Sequence, residues 1–186
     1  MSRQQGEAIK LSEDIREKAK KISLLILDVD GVMTDGSITL DNNGNELKSF
    51  NVRDGHGIKM LQKEGTEIAI ITGRYSEVVE RRAKELGINH IYQRILNKLD
   101  AYNSLKEKLS INDENIAFIG DDVVDLSILL KVGLSIAVRD AHEYVKTQVM
   151  LITENKGGRG AVREITDLIL YSKGALYKII DAYSKI

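Results

Sequence analysis

Cysteine, proline and tryptophan do not occur in this chain of 186 residues. The lack of cysteine excludes disulfides, thiol catalysis and cysteine-bound metals, and it fits a reducing compartment. No apolar run approaches the roughly 18 residues that a membrane-spanning helix requires. The stretch 1–21 is polar and charged, which is the wrong chemistry for a secretory signal. We therefore expect a cytoplasmic protein that does not engage membranes.

The chain also lacks an excess of either charge. Its formal net charge is −1 and its pI is about 6.3, so it has no global basic field that would attract nucleic acid. Hydrophobic residues make up 42% of the sequence, which is enough for one core at this length. We expect a single domain over residues 1–186, of which residues 1–11 are flexible.

Apolar runs and amphipathic stretches alternate along the chain, which predicts an α/β fold with a parallel sheet flanked by helices. An Asn42-Asn43-Gly44 turn between two short polar-apolar segments predicts a β-hairpin over 37–40 and 46–50. The predicted strands are 24–27, 68–71, a short one near 91, 116–119, 134–138 and 149–152. The predicted helices are 12–21, 56–63, 76–86, 98–109, 123–131, 141–147, 160–171 and 174–184.

The most informative segment follows the first predicted strand and reads Asp-Val-Asp-Gly-Val-Met-Thr-Asp over residues 28–35. The alternation of a strand places Asp28 and Asp30 on the same side of the backbone. Two carboxylates so close repel each other unless a cation or a proton lies between them. This suits a nucleophile, an acid/base and a hard divalent metal, although Asp and Gly are also common in ordinary turns.

Three further polar groups occur in order along the chain. Thr72 directly follows the strand at 68–71, Lys98 is the first residue of a predicted helix, and Asp121 comes shortly after the strand at 116–119. In an open parallel sheet, ligands bind outside the carboxyl ends of the strands, so these groups should converge on one crevice. Acids for a metal, with a hydroxyl and a lysine for an anion, indicate phosphoryl transfer.

These motifs resemble the haloacid dehalogenase superfamily of phosphotransferases. Within it, the chain looks most like one capless family, the 3-deoxy-D-manno-octulosonate 8-phosphate phosphatases. The resemblance covers about residues 12–172 and implies a Rossmann-like fold with a small β-hairpin and no cap domain. It also implies a role in lipopolysaccharide sugar biosynthesis. The closer match rests on the segments 27–36, 51–55, 70–74 and 157–164.

The resemblance implies a role for each group in the crevice. Asp28 would be the nucleophile, and Asp30 the general acid/base that also offers a backbone carbonyl to the metal. Asp121 would be the third metal contact, and oxygen ligands without cysteine favour Mg²⁺. Thr72 would bind a phosphoryl oxygen, and Lys98 would balance the negative charge. The roles of two further acids stay open. Asp122 is a candidate for orienting metal-bound water, and Asp125 is either a partner of Lys98 or a helix cap.

Substrate contacts are expected from the segment 51–55 and from several basic side chains elsewhere. Cations suit a sugar acid that carries both a carboxylate and a phosphate. Lys59 departs from the family, in which arginine is expected, so the bidentate contact is lost there. Besides Asp30 and Lys98, the expected substrate-binding residues are Asn51, Val52, Arg53, Asp54, Gly55, Lys59, Arg74, Arg82 and Arg159.

The spacing of the motifs leaves no room for a cap domain, and an open site excludes water poorly. The resemblance implies that neighbouring subunits of a homotetramer cover the site instead. The hairpin is an expected contact, because an isolated two-stranded hairpin is only marginally stable. The segment Gly157–Gly160 is either a turn that opens a helix or a loop that reaches a neighbour's site through Arg159.

Three alternative functions stay open. The same chemistry could act on another nonulosonate, such as a sialic-acid-type 9-phosphate. The chain could be a non-catalytic partner of a sugar-nucleotide synthase, although Asp28, Asp30 and Asp121 are all present. A nucleic-acid 3′-phosphatase is the third, and the lack of a basic patch with interleaved aromatics counts against it.

Overall fold

A computed structural model describes residues 12–185. The flexibility predicted for residues 1–11 lies outside the described residues. From residue 12 to residue 185, none of the helices is both long enough and apolar enough to cross a membrane.

The described residues form a six-stranded parallel sheet and a separate two-stranded antiparallel hairpin. The strands are β1 Leu24–Leu27, β2 Thr39–Leu40, β3 Glu46–Leu47, β4 Glu67–Ile71, β5 His90–Tyr92, β6 Ile116–Gly120, β7 Leu134–Ala137 and β8 Leu151–Ile152. The sheet has the order β5-β4-β1-β6-β7-β8, and β2 and β3 form the hairpin. This order places the chain reversal between β1 and β6, where doubly wound sheets bind their ligands.

Helices connect successive strands and cover the sheet. They are α1 Glu13–Lys21, α2 Val52–Lys63, α3 Glu77–Leu86, α4 Lys98–Leu109, α5 Leu126–Leu129, α6 Glu143–Lys146, α7 Ala161–Ser172 and α8 Leu176–Tyr183. The predicted fold class is confirmed: the sheet is parallel and flanked by helices, and the hairpin and α2 are the only elements between β1 and β4 in the described chain. No cap domain is therefore present within residues 12–185.

The central strands are apolar because helices cover both of their faces. Every residue of β1 is fully buried, as are nearly all residues of its neighbours β4 and β6. The register pairs Leu27 with Ile70 on one side and with Ile119 on the other. The three strands therefore end at nearly the same level, and the residues that follow them meet at one edge of the sheet.

Element boundaries differ from the predictions where local capping decides them. Helix α2 begins at Val52 rather than His56, because the Asn51 side chain caps it by accepting a hydrogen bond from the Arg53 N–H at 2.8 Å. The predicted helix 123–131 is instead a 3₁₀ turn, Val123–Asp125, followed by the short α5. The hairpin strands are shorter than predicted and pair only Thr39–Leu40 with Glu46–Leu47.

Helix α2 packs closely on α7. Gly57 lies at a contact between the two helices that a side chain would block. A Cβ atom at this position would overlap the Oγ1 of Thr166 and lie 2.8 Å from the Cδ of Arg163. Thr166 is fully buried, and its hydroxyl donates to the Arg163 carbonyl at 2.9 Å, so it has little freedom to move away.

We expect Gly57→Ala to destabilise the protein. Alanine favours a helix over glycine by about 1 kcal/mol, but forcing a methyl group into a packed contact costs about 1–3 kcal/mol. The melting temperature should fall by several degrees, since about 1 kcal/mol shifts it by about 2–4 °C at this size. Differential scanning calorimetry measures the change. Ser104→Ala, on the exposed side of α4, is the control and should leave the melting temperature unchanged or slightly higher. An equal or higher melting temperature for Gly57→Ala would show that the contact between α2 and α7 accommodates a methyl group.

Candidate active site

Side chains that follow the central strands line one open cavity of about 310 Å³. Asp28 follows β1, Thr72 follows β4 and Asp121 follows β6, while Lys98 is the first residue of α4. Asp30 also lines this cavity. The structure thus brings together the five residues that the sequence motifs single out.

Lys98 lies between two carboxylates at the bottom of the cavity. Its Nζ is 2.8 Å from Asp28 Oδ1 and 2.6 Å from Asp125 Oδ1, and all three side chains are buried. Burial alone would lower the pKa of Lys98, but the charges of Asp28 and Asp125 more than offset this and raise its pKa above the ordinary value. Lys98 is therefore a fixed ammonium ion next to Asp28.

Asp125 is the partner of Lys98, as one of the two alternatives predicted, but its side chain does not cap α5, the helix that follows it. One carboxylate oxygen accepts from Lys98, and the other accepts from the backbone N–H groups of Asp121 and Asp122 at 3.0 and 3.3 Å. Asp122 caps the turn itself by accepting from the Val123 N–H at 2.7 Å. Asp125 therefore ties the loop after β6 to Lys98 and leaves neither of its oxygens free.

The cavity concentrates negative charge, and the pKa values of its acids show the effect. Burial first, and the charge of Asp125 second, raise the pKa of Asp28 to about 6 despite the opposing charge of Lys98. Burial, followed by the charges of Asp28 and Asp125, raises the pKa of Asp121 to about 8. Both acids can be ionised together at neutral pH only if a cation balances them.

The donor set at this point fits a hard divalent cation. Oxygens of Asp28, Asp121 and Asp125 lie within 4.8 Å of one another. Because both oxygens of Asp125 already accept hydrogen bonds, Asp28 and Asp121 are the carboxylates that we assign to an ion. Gly31, with a φ of +93°, allows the loop after β1 to approach this point, since a Cβ atom there would overlap the carboxylate of Asp121. Carboxylate oxygens without sulfur or imidazole favour Mg²⁺ over Zn²⁺.

The Asp30 side chain is not a member of this cluster and belongs to a ring of charges at the edge of the cavity. It accepts a hydrogen bond from Lys48, and Arg74 Nε lies 3.6 Å from its other oxygen. Lys48 and Glu46 were missed in the sequence. A signal was present, because residues 46 and 48 of a strand share one face and Leu47 takes the other.

The predicted substrate-binding residues lie in three different places in the single chain. Arg74 lines the cavity of Asp28. Asn51, Val52, Arg53 and Arg159 instead line a second cavity of about 290 Å³, where Arg159 pairs with Asp35 at 3.1 Å. Their predicted contact with substrate stays a prediction.

The other four predicted contacts also lie outside the cavity of Asp28. Asp54 is buried and accepts a hydrogen bond from the Arg163 N–H at 2.8 Å, and Gly55 packs against the guanidinium of Arg82. Arg82 pairs with Glu85, and Lys59 faces solvent. Asp54, Gly55 and Arg82 therefore take part in packing around α2, and the substrate contact predicted for these four residues stays a prediction.

Gly157–Gly160 opens α7, as one of the two interpretations predicted. Gly157 packs so closely on the loop after β1 that a Cβ atom would overlap the carbonyl of Gly31, and the Gly158 N–H donates to the Val32 carbonyl at 2.8 Å. Gly160, with a φ of +110°, precedes the first turn of α7. The segment therefore braces the loop that carries Asp28 and Asp30.

Comparisons with known proteins agree with this geometry. Residues 87–165 match the family described as haloacid dehalogenase-like hydrolase. The 3-deoxy-D-manno-octulosonate 8-phosphate phosphatase KdsC of Escherichia coli (strain B / BL21-DE3) is 52% identical over 89% of this chain and 88% of its own length.

Two crystal structures of phosphatases with the same name superpose closely on this chain. That from Yersinia pestis has a TM-score of 0.89 and 48% identity, and it covers 90% of each chain. That from Moraxella catarrhalis, in complex with a magnesium ion, a phosphate ion and a KDO molecule, has a TM-score of 0.90 and 43% identity over 91% of this chain and 98% of its own. The chain therefore belongs to the 3-deoxy-D-manno-octulosonate 8-phosphate phosphatase family, within the haloacid dehalogenase superfamily.

Proposed function

We propose that this protein is a Mg²⁺-dependent phosphatase that hydrolyses 3-deoxy-D-manno-octulosonate 8-phosphate to the free sugar acid and phosphate. The observation that carries the proposal is the buried Asp28, fixed by Lys98 at 2.8 Å and adjacent to Asp121 at the bottom of an open cavity. Relatives that are about half identical over most of the chain carry this activity in their names, which supports the substrate. A role in lipopolysaccharide synthesis and a cytoplasmic location stay predictions.

In the proposed reaction, an Asp28 oxygen attacks phosphorus and the bond from phosphorus to the sugar oxygen breaks. The departing oxygen takes a proton from Asp30. Asp30 then accepts a proton from a water molecule, which attacks the aspartyl-phosphate and releases Asp28 and inorganic phosphate. Thr72 would donate a hydrogen bond to a phosphoryl oxygen, and Lys98 would balance the charge of the transferring group.

Mg²⁺ fits the acids described above, with the Asp28 and Asp121 carboxylates and the Asp30 carbonyl as its protein ligands. When bound, it would offset the repulsion between Asp28 and Asp121 and neutralise charge on the phosphoryl oxygens. Asp122 stays a candidate for orienting metal-bound water.

We also propose a homotetramer in which a neighbour covers the cavity. The open cavity supports this, because an exposed phosphoryl intermediate is poorly protected from water. The hairpin presents Ile38, Leu40 and Leu47 to solvent, each more than half exposed, and Leu96 is fully exposed at the rim of the cavity. Such apolar side chains are typical of a surface that a partner covers, and the second cavity, with Arg53 and Arg159, could then face a neighbour's substrate.

The alternative functions are less well supported. A non-catalytic partner would not need Lys98 buried next to Asp28, and a nucleic-acid phosphatase would need a basic surface. A sialic-acid-type 9-phosphate stays the main competitor, because the motifs determine the reaction more firmly than the sugar.

Phosphate release should be fastest with 3-deoxy-D-manno-octulosonate 8-phosphate in a panel that includes a nonulosonate 9-phosphate and simple sugar phosphates. The kcat/KM values of purified protein give the comparison. Asp28→Asn should lower turnover by more than 1000-fold while keeping the fold, since it removes the nucleophile and hardly changes the volume. The exposed Asp14→Asn is the matched control and should be fully active. A preference for the 9-phosphate would reassign the substrate, and one tenth of normal activity in Asp28→Asn would exclude Asp28 as the nucleophile.

Removal of divalent ions with EDTA should stop turnover, and Mg²⁺ should restore it. Ca²⁺ should restore it poorly, because it prefers a looser shell of about six to eight oxygens. Binding has a readout independent of activity: Mg²⁺ at about 100 times its Kd should stabilise the fold by about 2.7 kcal/mol. A thermal shift assay measures this, and Asp121→Asn should abolish the shift. Activity without any divalent ion, or a normal shift in Asp121→Asn, would contradict the assigned site.

Light scattering should give the mass of a tetramer for the purified protein. Leu47→Glu should reduce that mass and the activity together, because it places a charge in the proposed contact of the hairpin. Leu130→Glu is the matched control. Leu130 is similarly exposed, but it follows α5 and does not belong to the hairpin. A fully active monomer would refute the assembly, and a tetrameric Leu47→Glu would remove the hairpin from it.

A further inference from the structure

Four side chains of alternating charge form a closed ring beside the active-site cavity. Lys48 donates a hydrogen bond to Asp30 Oδ1, and its Nζ lies 3.4 Å from Glu46 Oε1. Arg74 Nη2 donates to the same Glu46 oxygen at 2.8 Å, and Arg74 Nε lies 3.6 Å from Asp30 Oδ2. Each carboxylate therefore has a cation on either side.

Lys48 is the most buried member of this ring. Its side chain is 1% exposed, against 22% for Asp30 and 46% for Arg74. A buried ammonium ion is stable only when it is paired and hydrogen-bonded, and Lys48 has its two carboxylate partners at hand. Its position is therefore fixed, unlike that of a lysine in solvent.

Lys48 is linked to the cavity through Asp30. Asp30 and Arg74 line the cavity of Asp28, whereas Lys48 and Glu46 do not. The structure gives Lys48 no direct path to the phosphoryl position, which lies between Asp28, Thr72 and Lys98. The shortest link from Lys48 to the cavity is its hydrogen bond to Asp30, because its other link passes through both Glu46 and Arg74.

We propose that Lys48 is a positioning residue for Asp30. By holding Oδ1, it orients the carboxyl group so that Oδ2 is the oxygen that exchanges protons with the leaving group and with water. Arg74 is too far from Oδ2 for a hydrogen bond, so that oxygen stays available. This inference rests on the proposed function, since it assumes that Asp30 is the general acid/base.

The hairpin explains how a residue distant in sequence reaches Asp30. Lys48 directly follows β3 and keeps its alternation, so it lies on the same face as Glu46, whereas Leu47 is exposed on the other face. A lysine suits this position because its compact ammonium group can donate to two carboxylates at once. The hairpin thereby acts as a support that reaches back to the loop after β1.

A leaving-group comparison separates positioning from a merely structural role. An alkyl phosphate expels a strongly basic oxygen, which needs the proton from Asp30 as the bond to phosphorus breaks. An aryl phosphate such as p-nitrophenyl phosphate expels a weakly basic phenolate, which leaves without that proton. Attack by Asp28 on the aryl ester therefore does not require Asp30 to be oriented, whereas attack on the alkyl ester does.

The experiment uses Lys48→Met, which removes the charge but keeps a side chain of similar length, and Lys48→Arg, which keeps the charge. Lys108→Met, on the exposed surface of α4, is the matched control. Rapid-quench kinetics measure phosphoryl transfer to Asp28 with any primary alkyl phosphate that the normal enzyme hydrolyses and with p-nitrophenyl phosphate. Because the alkyl ester is generic, this test does not depend on the identity of the sugar substrate. If the proposed sugar substrate is wrong, only the substrate panel would show it.

We expect Lys48→Met to slow phosphoryl transfer from the alkyl ester by about 10- to 100-fold, part of the roughly 10²- to 10⁴-fold that a general acid contributes. KM should change by less than about threefold, because a positioning residue does not bind substrate. The first-turnover rate with the aryl ester should stay within about threefold of normal, since that step depends little on a general acid. Lys48→Arg should recover most of the alkyl-ester rate, and Lys108→Met should match the normal enzyme.

Three results would overturn the proposal. Equal losses with both esters would show that Lys48 supports the fold of the site as a whole. A rise in KM with unchanged kcat would make Lys48 a substrate contact, and no loss in Lys48→Met would remove it from catalysis. If Lys48→Met does not fold, Lys48→Ala removes the donor to Asp30 with a smaller side chain, and it must show the same difference between the two esters.

Discussion

The ion pair between Lys98 and Asp28, buried and shared with Asp125, is the interaction on which the rest of the site depends. A carboxylate that is to attack phosphorus must be ionised and free of water, and these two requirements oppose each other in a buried pocket. Lys98 reconciles them, because its charge favours ionised Asp28 while its own position is secured by Asp125. The same Asp125 fixes the loop that carries Asp121, so one acid sets the distance between the two proposed metal ligands.

The order of the strands in the sheet brings these charged side chains together. Asp28 and Asp121 follow neighbouring strands that end at the same level, and Lys98 is the first residue of α4, the helix that connects β5 to β6. Burial first, and the charges of Asp28 and Asp125 second, raise the pKa of Asp121, so Lys98 balances these acids only in part. The site is in this sense incomplete until a cation is added, which agrees with the magnesium ion named in the related complex from Moraxella catarrhalis.

Much of this could be predicted from the sequence, and the rest could not for physical reasons. The strands were predictable because continuous apolar runs ended in polar residues, and this placed Asp28, Thr72 and Asp121 correctly at one edge. The apolar pattern predicts the start of α2 four residues too late, because the Asn51 side chain caps the helix ahead of its first apolar turn. The pairing of Lys48 with Asp30 joins residues 18 apart in sequence through a turn whose direction no local pattern determines.

The two faces of the hairpin have a consequence for how the enzyme would respond to dilution. Leu47 presents an apolar surface outward, while its neighbours Glu46 and Lys48 face inward towards Asp30. A two-stranded hairpin is only marginally stable by itself, so a partner that packs on Leu47 would further stabilise the hairpin that carries Lys48. Subunit association and proton transfer would then be linked by mass action. The specific activity of such an enzyme rises with its own concentration, even though no residue of the hairpin touches the phosphoryl group.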